Sequence, residues 1–323
     1  MSDREVLRSA ASAIAGAAEV SLVCHVGPDG DALGSMLGLA EAASNAGKSV
    51  KASFGSPFVV PDNLSFLPAD HLVTPQDFPK QPEVLVVLDA GSADRIGELA
   101  TNASKSEIVV VLDHHVTNEG FGDISYVDPD AAATGEIVFD LLELAGWDLT
   151  PPIANSLLTA VVTDTGRFQY SNTTPRTLEI ASKLVAAGAV PTLIGQRVYE
   201  EAPFGYLKAA GAAMDRAKLD EELSVVSTSI SEEDLETAGA DWGDIDGLID
   251  TIRLAREADT AVLAKMHRDG RVKVSMRSRG ATDVGSLAAT FGGGGHRLAS
   301  GFTSEGDADT VISQVLAKLG EFR

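Results

Sequence analysis

Three short apolar segments constrain the fold of this 323-residue chain more than any other feature. They span residues 20–24, 84–88 and 108–112, and the last two contain only valine, leucine and isoleucine. A strand without polar alternation is buried on both faces, which is typical of a parallel sheet covered by helices. Apolar residues at helical spacing precede and follow these segments. The sequence therefore predicts a doubly wound, mainly parallel α/β domain in the N-terminal part of the chain.

Each apolar segment ends in acidic or imidazole side chains. The residues that follow the three segments are His25, Asp29 and Asp31, then Asp89, then Asp113, His114 and His115. Because parallel strands end together at the carboxyl edge of a sheet, where ligands bind in open α/β folds, we expect these side chains to converge. Clustered carboxylates repel one another at low effective dielectric, and a hard divalent cation relieves that repulsion. The pattern predicts a metal centre at this edge.

Taken one at a time, these residues also have structural interpretations. Asp31 is suited to cap the helix that follows it, and Asp89 is suited to begin a turn. One of two adjacent histidines is often a structural hydrogen-bonding group. The joint placement favours the functional interpretation. Asp164 supports it, because it ends an apolar helix predicted over 151–164, where the helix dipole disfavours a negative charge.

The C-terminal part of the chain carries a local concentration of positive charge. Six Lys or Arg residues lie between positions 265 and 279, in a hairpin predicted around Asp269-Gly270, against one acid. A charged edge strand protected against aggregation would look the same. The run Gly292–Gly295 follows, with His296 and Arg297 behind it, and backbone amides of such a run can approach an anion, although a glycine run is often only a flexible loop. Together these features favour an anion-binding surface.

Length and composition predict two domains in an ordinary soluble protein. We expect a first domain over residues 1–190, a helical linker over 191–216 and a smaller α/β domain with a mixed sheet over 217–323. The net charge of -22 argues against binding of long or duplex nucleic acid. Cys24 is the only cysteine, which excludes an intramolecular disulfide and a thiolate metal site. With no signal-peptide pattern and no long apolar run, the chain is expected to be cytoplasmic and not membrane-associated.

The ordered motifs resemble those of a known family. His25-x-x-x-Asp29-x-Asp31, Asp89, Asp113-His114-His115 and Asp164 are similar to the successive motifs of the DHH phosphoesterases, and Gly292 to His296 resembles the glycine-rich signature of the DHH-associated C-terminal domain. Among subfamilies, the chain most resembles the compact bacterial oligoribonuclease and pAp phosphatase type, which includes cyclic-di-AMP and pApA phosphodiesterases. The resemblance implies an active site in the cleft between the two domains.

The resemblance also implies a set of metal ligands. One Mn²⁺ would be held by His25, Asp29 and Asp89, and a second by Asp31, Asp89, His114 and Asp164. Asp89 would bridge the two ions, and Mg²⁺ or Co²⁺ would be substitutes. Asp113 would orient a histidine, and His115 would face the substrate phosphate, where it would stabilise charge or protonate the leaving oxygen.

The resemblance further implies a substrate class and a reaction. Ser275, Arg277, Gly294, Gly295, His296 and Arg297 would bind the substrate. The reaction would be two-metal hydrolysis of short oligoribonucleotides, pAp, pApA or cyclic-di-AMP to mononucleotides, in a homodimer. Two alternatives stay open, a DHH-type inorganic pyrophosphatase and a catalytically inactive nucleotide-sensing module. A RecJ-like processive exonuclease is disfavoured by the chain length and the negative charge.

Overall fold

The computed structural model describes residues 3–321, which form two compact units divided between Glu201 and Ala202. The strands of the first unit are β1 (Glu19–Cys24), β2 (Ser49–Phe54), β3 (Val84–Leu88), β4 (Ile108–Asp113) and β5 (Ile124–Val127). Its α-helices are α1 (Asp3–Gly16), α2 (Gly30–Asn45), α3 (Ala100–Ala103), α4 (Thr134–Ala145), α5 (Pro151–Asp164), α6 (Pro175–Ala186) and α7 (Pro191–Gly195). Short 3-10 helices span Asp62–Leu64 and Ala93–Leu99, and a π-helical turn over Gln196–Glu200 follows α7.

The sheet of the first unit is parallel throughout. Its strand order is β2-β1-β3-β4-β5, and every neighbouring pair runs parallel. All five residues of β3 are buried, as the wholly apolar sequence requires. The predicted doubly wound, mainly parallel sheet is therefore confirmed. The edge strand β5 was not predicted, because its four residues are only half-buried and carry no continuous apolar pattern.

Helices α2 and α5 pack unusually close to each other. Gly30, Gly34 and Gly38 lie four residues apart on one face of α2, toward α5. A Cβ atom at Gly34 would lie 2.9 Å from the backbone nitrogen of Ala160, and one at Gly38 would lie 2.9 Å from a methyl group of Leu157. Side chains at these positions would force the helices apart. The glycines thus hold the start of α2 beside the end of α5.

The second unit contains a six-stranded sheet and five α-helices within its described residues, 202–321. The strands are β6 (Lys218–Asp220), β7 (Val225–Ser231), β8 (Thr260–Met266), β9 (Arg271–Ser278), β10 (Gly294–His296) and β11 (Ala299–Glu305). The helices are α8 (Phe204–Asp215), α9 (Glu232–Ala238), α10 (Leu248–Ile252), α11 (Val284–Ala289) and α12 (Ala308–Glu321), with a 3-10 turn at Gly243–Ile245. The strand order is β10-β11-β9-β8-β7-β6; β7 and β8 are parallel and the other pairs antiparallel, which confirms the predicted mixed sheet.

Strand β9 has the predicted alternation. Val272, Val274 and Met276 are buried against the helices, whereas Lys273 is exposed on the opposite face. The hairpin that joins β8 to β9 turns at Gly270, whose positive φ of 86° favours glycine.

The start of α8 packs into the second unit, where a Cβ atom at Gly205 would lie 2.8 Å from the carbonyl carbon of Gly239.

Between residues 3 and 321, no single helix is long and apolar enough to cross a membrane. The segments Pro175–Ala186 and Pro191–Glu200 meet that criterion only as a pair, with a bend of 111° between them.

Candidate functional site

The predicted site residues of the first unit converge at one edge of its sheet. His25 follows β1 directly, Asp89 follows β3, and Asp113 is the last residue of β4. In the parallel register, Cys24 lies opposite Leu88, and Leu88 lies opposite Leu112. The residues one position further along each strand are therefore neighbours, as the sequence predicted.

The first potential ligand group consists of His25, Asp29 and Asp89. The Nε2 atom of His25 lies 3.6 Å from Oδ2 of Asp89 and 3.8 Å from Oδ1 of Asp29. The Nδ1 atom lies 3.1 Å from the carbonyl oxygen of Val26, which can only accept a hydrogen bond. Nδ1 therefore carries a proton, and Nε2 is the nitrogen that faces the carboxylates.

The second group consists of Asp31, His114 and Asp164. Nε2 of His114 lies 3.7 Å from Oδ2 of Asp31 and 3.6 Å from Oδ2 of Asp164. It also lies 3.6 Å from Oδ1 of Asp89, while Nδ1 lies 3.3 Å from the carbonyl oxygen of Ala131. Asp89 thus directs one carboxylate oxygen to each group, an arrangement that suits a ligand shared by two ions.

These distances fit metal ligands better than direct hydrogen bonds. The nitrogen–oxygen separations of 3.6–3.8 Å are too long for hydrogen bonds. Two atoms that each lie about 2.1 Å from one ion are separated by at most about 4.2 Å. Carboxylate and imidazole donors without a thiolate suit a borderline-hard cation such as Mn²⁺. The donor set and its geometry therefore fit a divalent metal centre.

Without a cation, three of these residues have raised pKa values. Burial raises the pKa of Asp31 well above its usual range, and the charge of Asp89 adds to the rise. Burial also raises the pKa of Asp164 to about 7, against the opposing effect of His114. Burial alone would lower the pKa of His25, but the carboxylates of Asp29 and Asp89 raise it to about 10. Binding of a divalent cation would therefore release protons from this cluster.

Asp89 has a strained backbone. Its φ of 54° lies in the left-handed region, which residues other than glycine rarely adopt and which aspartate tolerates better than most. The residue is buried, and its N–H still donates to the carbonyl oxygen of Leu112 at 3.1 Å. Such strain clusters at functional sites, where the surrounding structure maintains it. The turn at Asp89 directs its carboxylate between the two ligand groups.

Asp31 does not cap its own helix. Asp29 is the N-cap of α2, and its Oδ1 accepts hydrogen bonds from the N–H groups of Asp31 and Ala32. The carboxylate of Asp31 instead accepts from the N–H of Thr134 at 2.7 Å and of Gly135 at 3.0 Å, at the start of α4. The interpretation of Asp31 as a simple cap of the following helix is therefore wrong.

Sequence reasoning missed Thr134 and Gly135. A signal was available, because the helix that starts at Thr134 is preceded by Ala133, which has no side chain able to cap it. A helix start without its own cap leaves amide donors for a partner elsewhere in the fold.

Asp113 binds two side chains through its two oxygens. Oδ1 accepts from Nδ1 of His115 at 2.7 Å, and Oδ2 accepts from the amide of Asn118 at 2.6 Å. Burial raises the pKa of the Asp113 carboxyl, but the hydrogen bonds from His115 and Asn118 and the nearby imidazoles together outweigh it and lower that pKa overall. Burial lowers the pKa of His115, but the hydrogen bond to Asp113 and the charges of Asp89 and Asp164 together raise it overall. Asn118, which sequence reasoning also missed, is buried and fixes this pair.

In the second unit, four of the predicted substrate-binding residues share one face of the sheet. Arg277 lies opposite Ala299, which lies opposite His296 on the next strand. Ser275 lies opposite Gly301, which lies opposite Gly294. Directly opposed residues of antiparallel strands point to the same face, as do alternate residues along one strand. Ser275, Arg277, Gly294 and His296 therefore form one surface.

The two other predicted substrate-binding residues are placed differently. Gly295 lies opposite Ser300, on the alternate face, where a Cβ atom would lie 2.7 Å from the Ser300 Cα. Arg297 follows β10, and its Nη2 lies 3.4 Å from the carbonyl oxygen of Gly280. Gly295 is thus required by packing, with a φ of 137°, and Arg297 contacts a different loop.

Comparison with known proteins agrees with both units. The model of the DHH family N-terminal domain matches residues 19–163, and that of the DHHA1 domain matches residues 222–322. The bifunctional oligoribonuclease and PAP phosphatase NrnA of Thermus thermophilus is 33% identical over 304 residues, which cover 94% of this chain and 89% of that protein. The protein of the same name from Bacillus subtilis is 28% identical, over 90% of this chain and 91% of the relative.

A solved structure shares the architecture over the whole length. The exopolyphosphatase-related protein from Bacteroides fragilis has a TM-score of 0.91 and 25% sequence identity, and the match covers 99% of this chain and 96% of that chain. Its agreement in fold extends over both units. The resemblance inferred from the motifs is thereby confirmed: this chain belongs to the DHH family and carries a DHHA1 domain.

Proposed function

We propose that this chain is a manganese-dependent phosphoesterase that hydrolyses short oligoribonucleotides and pAp. The chain is a hydrolase of the DHH family, and its relatives named as bifunctional oligoribonuclease and PAP phosphatase support the substrate class. The observation that carries the proposal is the position of Asp89, whose two oxygens face two separate ligand groups, 3.6 Å from His25 and 3.6 Å from His114. This arrangement suits a two-metal centre of the kind that cleaves phosphate esters.

The ligand groups suggest how the metals would be held. His25, Asp29 and Asp89 would hold one Mn²⁺, and Asp31, Asp89, His114 and Asp164 would hold the other. When bound, such ions supply Lewis acidity toward phosphate oxygens and make water acidic enough to react near neutral pH. The protein supplies the fixed orientation of the ligands, through the backbone carbonyls that bind both imidazoles.

His115 would act on the substrate phosphate. Its Nδ1 is held by Asp113, so Nε2 would be the ring nitrogen that acts on a substrate oxygen. The side chain is about one quarter exposed, so a ligand can reach it. Burial lowers the pKa of this imidazole, but the hydrogen bond to Asp113 and the nearby carboxylates raise it overall, which favours the protonated ring. A protonated imidazole can stabilise phosphate charge or donate its proton to the leaving oxygen.

The shared face of the second unit would bind the substrate. Arg277 and His296 provide donors for phosphate oxygens. Gly294, which lies on the same face two residues before His296, is exposed, and a Cβ atom there would meet nothing within 4 Å. A Cβ atom at Gly293 would instead lie 2.8 Å from the Cα of Phe302. Packing therefore requires glycine at 293 but not at 294. A ligand that approaches the backbone closely would explain a glycine at 294.

A substrate panel tests the proposal. The full chain is assayed with Mn²⁺ against pAp, pApA, cyclic-di-AMP and inorganic pyrophosphate, together with Asp89→Asn and His296→Ala. We expect turnover of adenylate esters, no activity in Asp89→Asn, and a raised KM in His296→Ala. Asp309→Asn, an exposed carboxylate in the second unit, is the matched control and should behave as the wild type.

The other outcomes identify the alternatives. Turnover of pyrophosphate alone would assign the chain to the pyrophosphatase branch of the family. Nucleotide binding without turnover would identify a sensing module. Cyclic-di-AMP in the panel decides whether the substrate range extends to cyclic dinucleotides. Sedimentation of the purified chain tests the homodimer that the family resemblance implies.

A further inference from the structure

One buried residue contacts a carboxylate from each ligand group, one through its backbone and the other through its side chain. Thr134, the first residue of α4, donates its N–H to Oδ2 of Asp31 at 2.7 Å and its hydroxyl to Oδ1 of Asp89 at 3.1 Å. We propose that Thr134 is a positioning residue that fixes the Asp31 and Asp89 carboxylates relative to each other. The proposal rests on the proposed function, because it concerns how these carboxylates hold metal ions.

The Asp31 side of this arrangement is rigid. The carboxylate accepts from the N–H groups of Thr134 and Gly135, and from the Ser35 hydroxyl at 2.9 Å. Two of these three donors are backbone groups at a helix N-terminus, and they cannot rotate independently of the helix. The start of α4 thus sets the plane of the Asp31 carboxylate.

The Asp89 side depends on the hydroxyl group. A carboxylate can only accept, so the threonine hydroxyl is the donor in this bond. It binds Oδ1, the oxygen that lies 3.6 Å from Nε2 of His114, while Oδ2 faces His25. Rotation of the Asp89 carboxylate would break the bond and exchange the two oxygens. The Thr134 hydroxyl therefore keeps each oxygen directed at its own ligand group.

The position of Thr134 is determined by the packing of α4 against α5, not by its hydrogen bonds to Asp31 and Asp89. A Cβ atom at Gly135 would lie 2.7 Å from Cβ of Ala160 and 3.3 Å from the carbonyl oxygen of Leu157, both in α5. The first turn of α4 is therefore wedged against α5, the helix that ends at Asp164. Thr134 itself is fully buried. Both carboxylates are accordingly held in place before any ion binds, which lowers the reorganisation that metal binding would require.

Calorimetric titration of the metal-free full chain with Mn²⁺ tests the proposal. Thr134→Val keeps the size of the side chain and removes the hydroxyl, and we expect it to weaken Mn²⁺ binding by about 10- to 100-fold. Thr134→Ser keeps the hydroxyl and should restore most of the affinity. Thr159→Val is the matched control, because Thr159 is also fully buried but its hydroxyl bonds to the carbonyl of Asn155 in its own helix. Its Mn²⁺ affinity should equal that of the wild type.

A second pair of variants separates positioning from a folding defect. Thr134→Ala and Thr134→Ser both lose the methyl group and differ only in the hydroxyl, so a loss of Mn²⁺ affinity in the alanine variant alone supports the proposal. Thermal unfolding in EDTA serves as the folding control, because a folded variant unfolds in a cooperative transition. Equal Mn²⁺ affinity in wild type, Thr134→Val and Thr134→Ala would overturn the positioning role and leave the proposed function intact. A wild-type chain that binds no Mn²⁺ would instead overturn the proposed metal centre.

Discussion

Replacement of Gly34 by alanine should destabilise the first unit, although alanine is the better helix former. In an exposed helix the change would stabilise by about 1 kcal/mol. Gly34, however, is buried where α2 meets α5. A Cβ atom there would lie far inside van der Waals contact of the carbonyl oxygen of Ser156, 2.9 Å from the nitrogen of Ala160 and 3.1 Å from its Cβ.

The magnitude follows from the kind of atoms involved. Ordinary carbon contacts begin near about 3.5 Å, so the helices must separate by roughly 0.5–1 Å. Backbone atoms cannot relieve the contact by changing rotamer. Overpacking of a core typically costs about 1–3 kcal/mol, and a backbone contact belongs at the upper end of that range. After subtraction of the propensity gain, we expect Gly34→Ala to lose about 2 kcal/mol of unfolding free energy.

Urea unfolding monitored by tryptophan fluorescence measures this loss. The chain has two tryptophans, Trp147 in the first unit and Trp242 in the second, so a Trp242→Phe background reports on the first unit alone. Gly211→Ala is the matched control, because Gly211 lies inside α8, is exposed, and a Cβ atom there would meet nothing within 4 Å. The control should gain stability, measured through Trp242 in a Trp147→Phe background. A Gly34→Ala variant as stable as the wild type would refute the argument from helix packing.

Three further predictions concern hydrogen bonds, charge and metal. Asn118→Ala removes a 2.6 Å hydrogen bond from the buried Asp113 carboxylate. It should lower the unfolding free energy of the first unit, measured by urea denaturation, by about 1–3 kcal/mol. The hydrogen bonds from Arg216 lower the pKa of Asp234, so this pKa is lower in the folded than in the unfolded chain. The ionised carboxylate therefore stabilises the folded second unit above about pH 4, and this contribution is lost as the pH falls. Asp234→Asn should therefore remove part of the acid sensitivity of the second unit, measured by Trp242 fluorescence against pH. Mn²⁺ at about 100 times its Kd should raise the unfolding free energy of the wild type by about 2.7 kcal/mol, and EDTA or Asp89→Asn should abolish the gain.

The convergence of His25, Asp89 and Asp113 could be predicted from the sequence because it depends on strand ends. An apolar run that stops at a polar residue marks the end of a buried strand, and parallel strands end together. The register then brings the next residues side by side, as the pairing of Leu88 with Leu112 shows. No knowledge of side-chain conformation is needed for this inference.

The contacts of Thr134 and Asn118 could not be predicted in the same way. Thr134 meets Asp31 across 103 residues of sequence, through the packing of α4 against α5, which depends on Gly135 having no side chain. Asn118 reaches Asp113 through an irregular loop without a periodic pattern. Such contacts follow from how elements pack, and a pattern read along one element does not contain that information.

The basic strand of the second unit shows how an acidic chain can present cations to a small anion. Two cations of the hairpin formed by β8 and β9 are neutralised locally: Lys265 on β8 pairs with Asp246 at 2.9 Å, and Arg271 on β9 pairs with Asp269 at 2.7 Å. The pair between Arg277 and Asp250 is longer, at 3.7 Å, which is beyond hydrogen-bonding distance. A phosphate would therefore compete with only a weak, half-exposed carboxylate for the Arg277 guanidinium, and it could accept two parallel hydrogen bonds in return. A net charge of -22 disfavours the approach of long polyanions, whereas the short substrate proposed above would need only to displace this one carboxylate from Arg277.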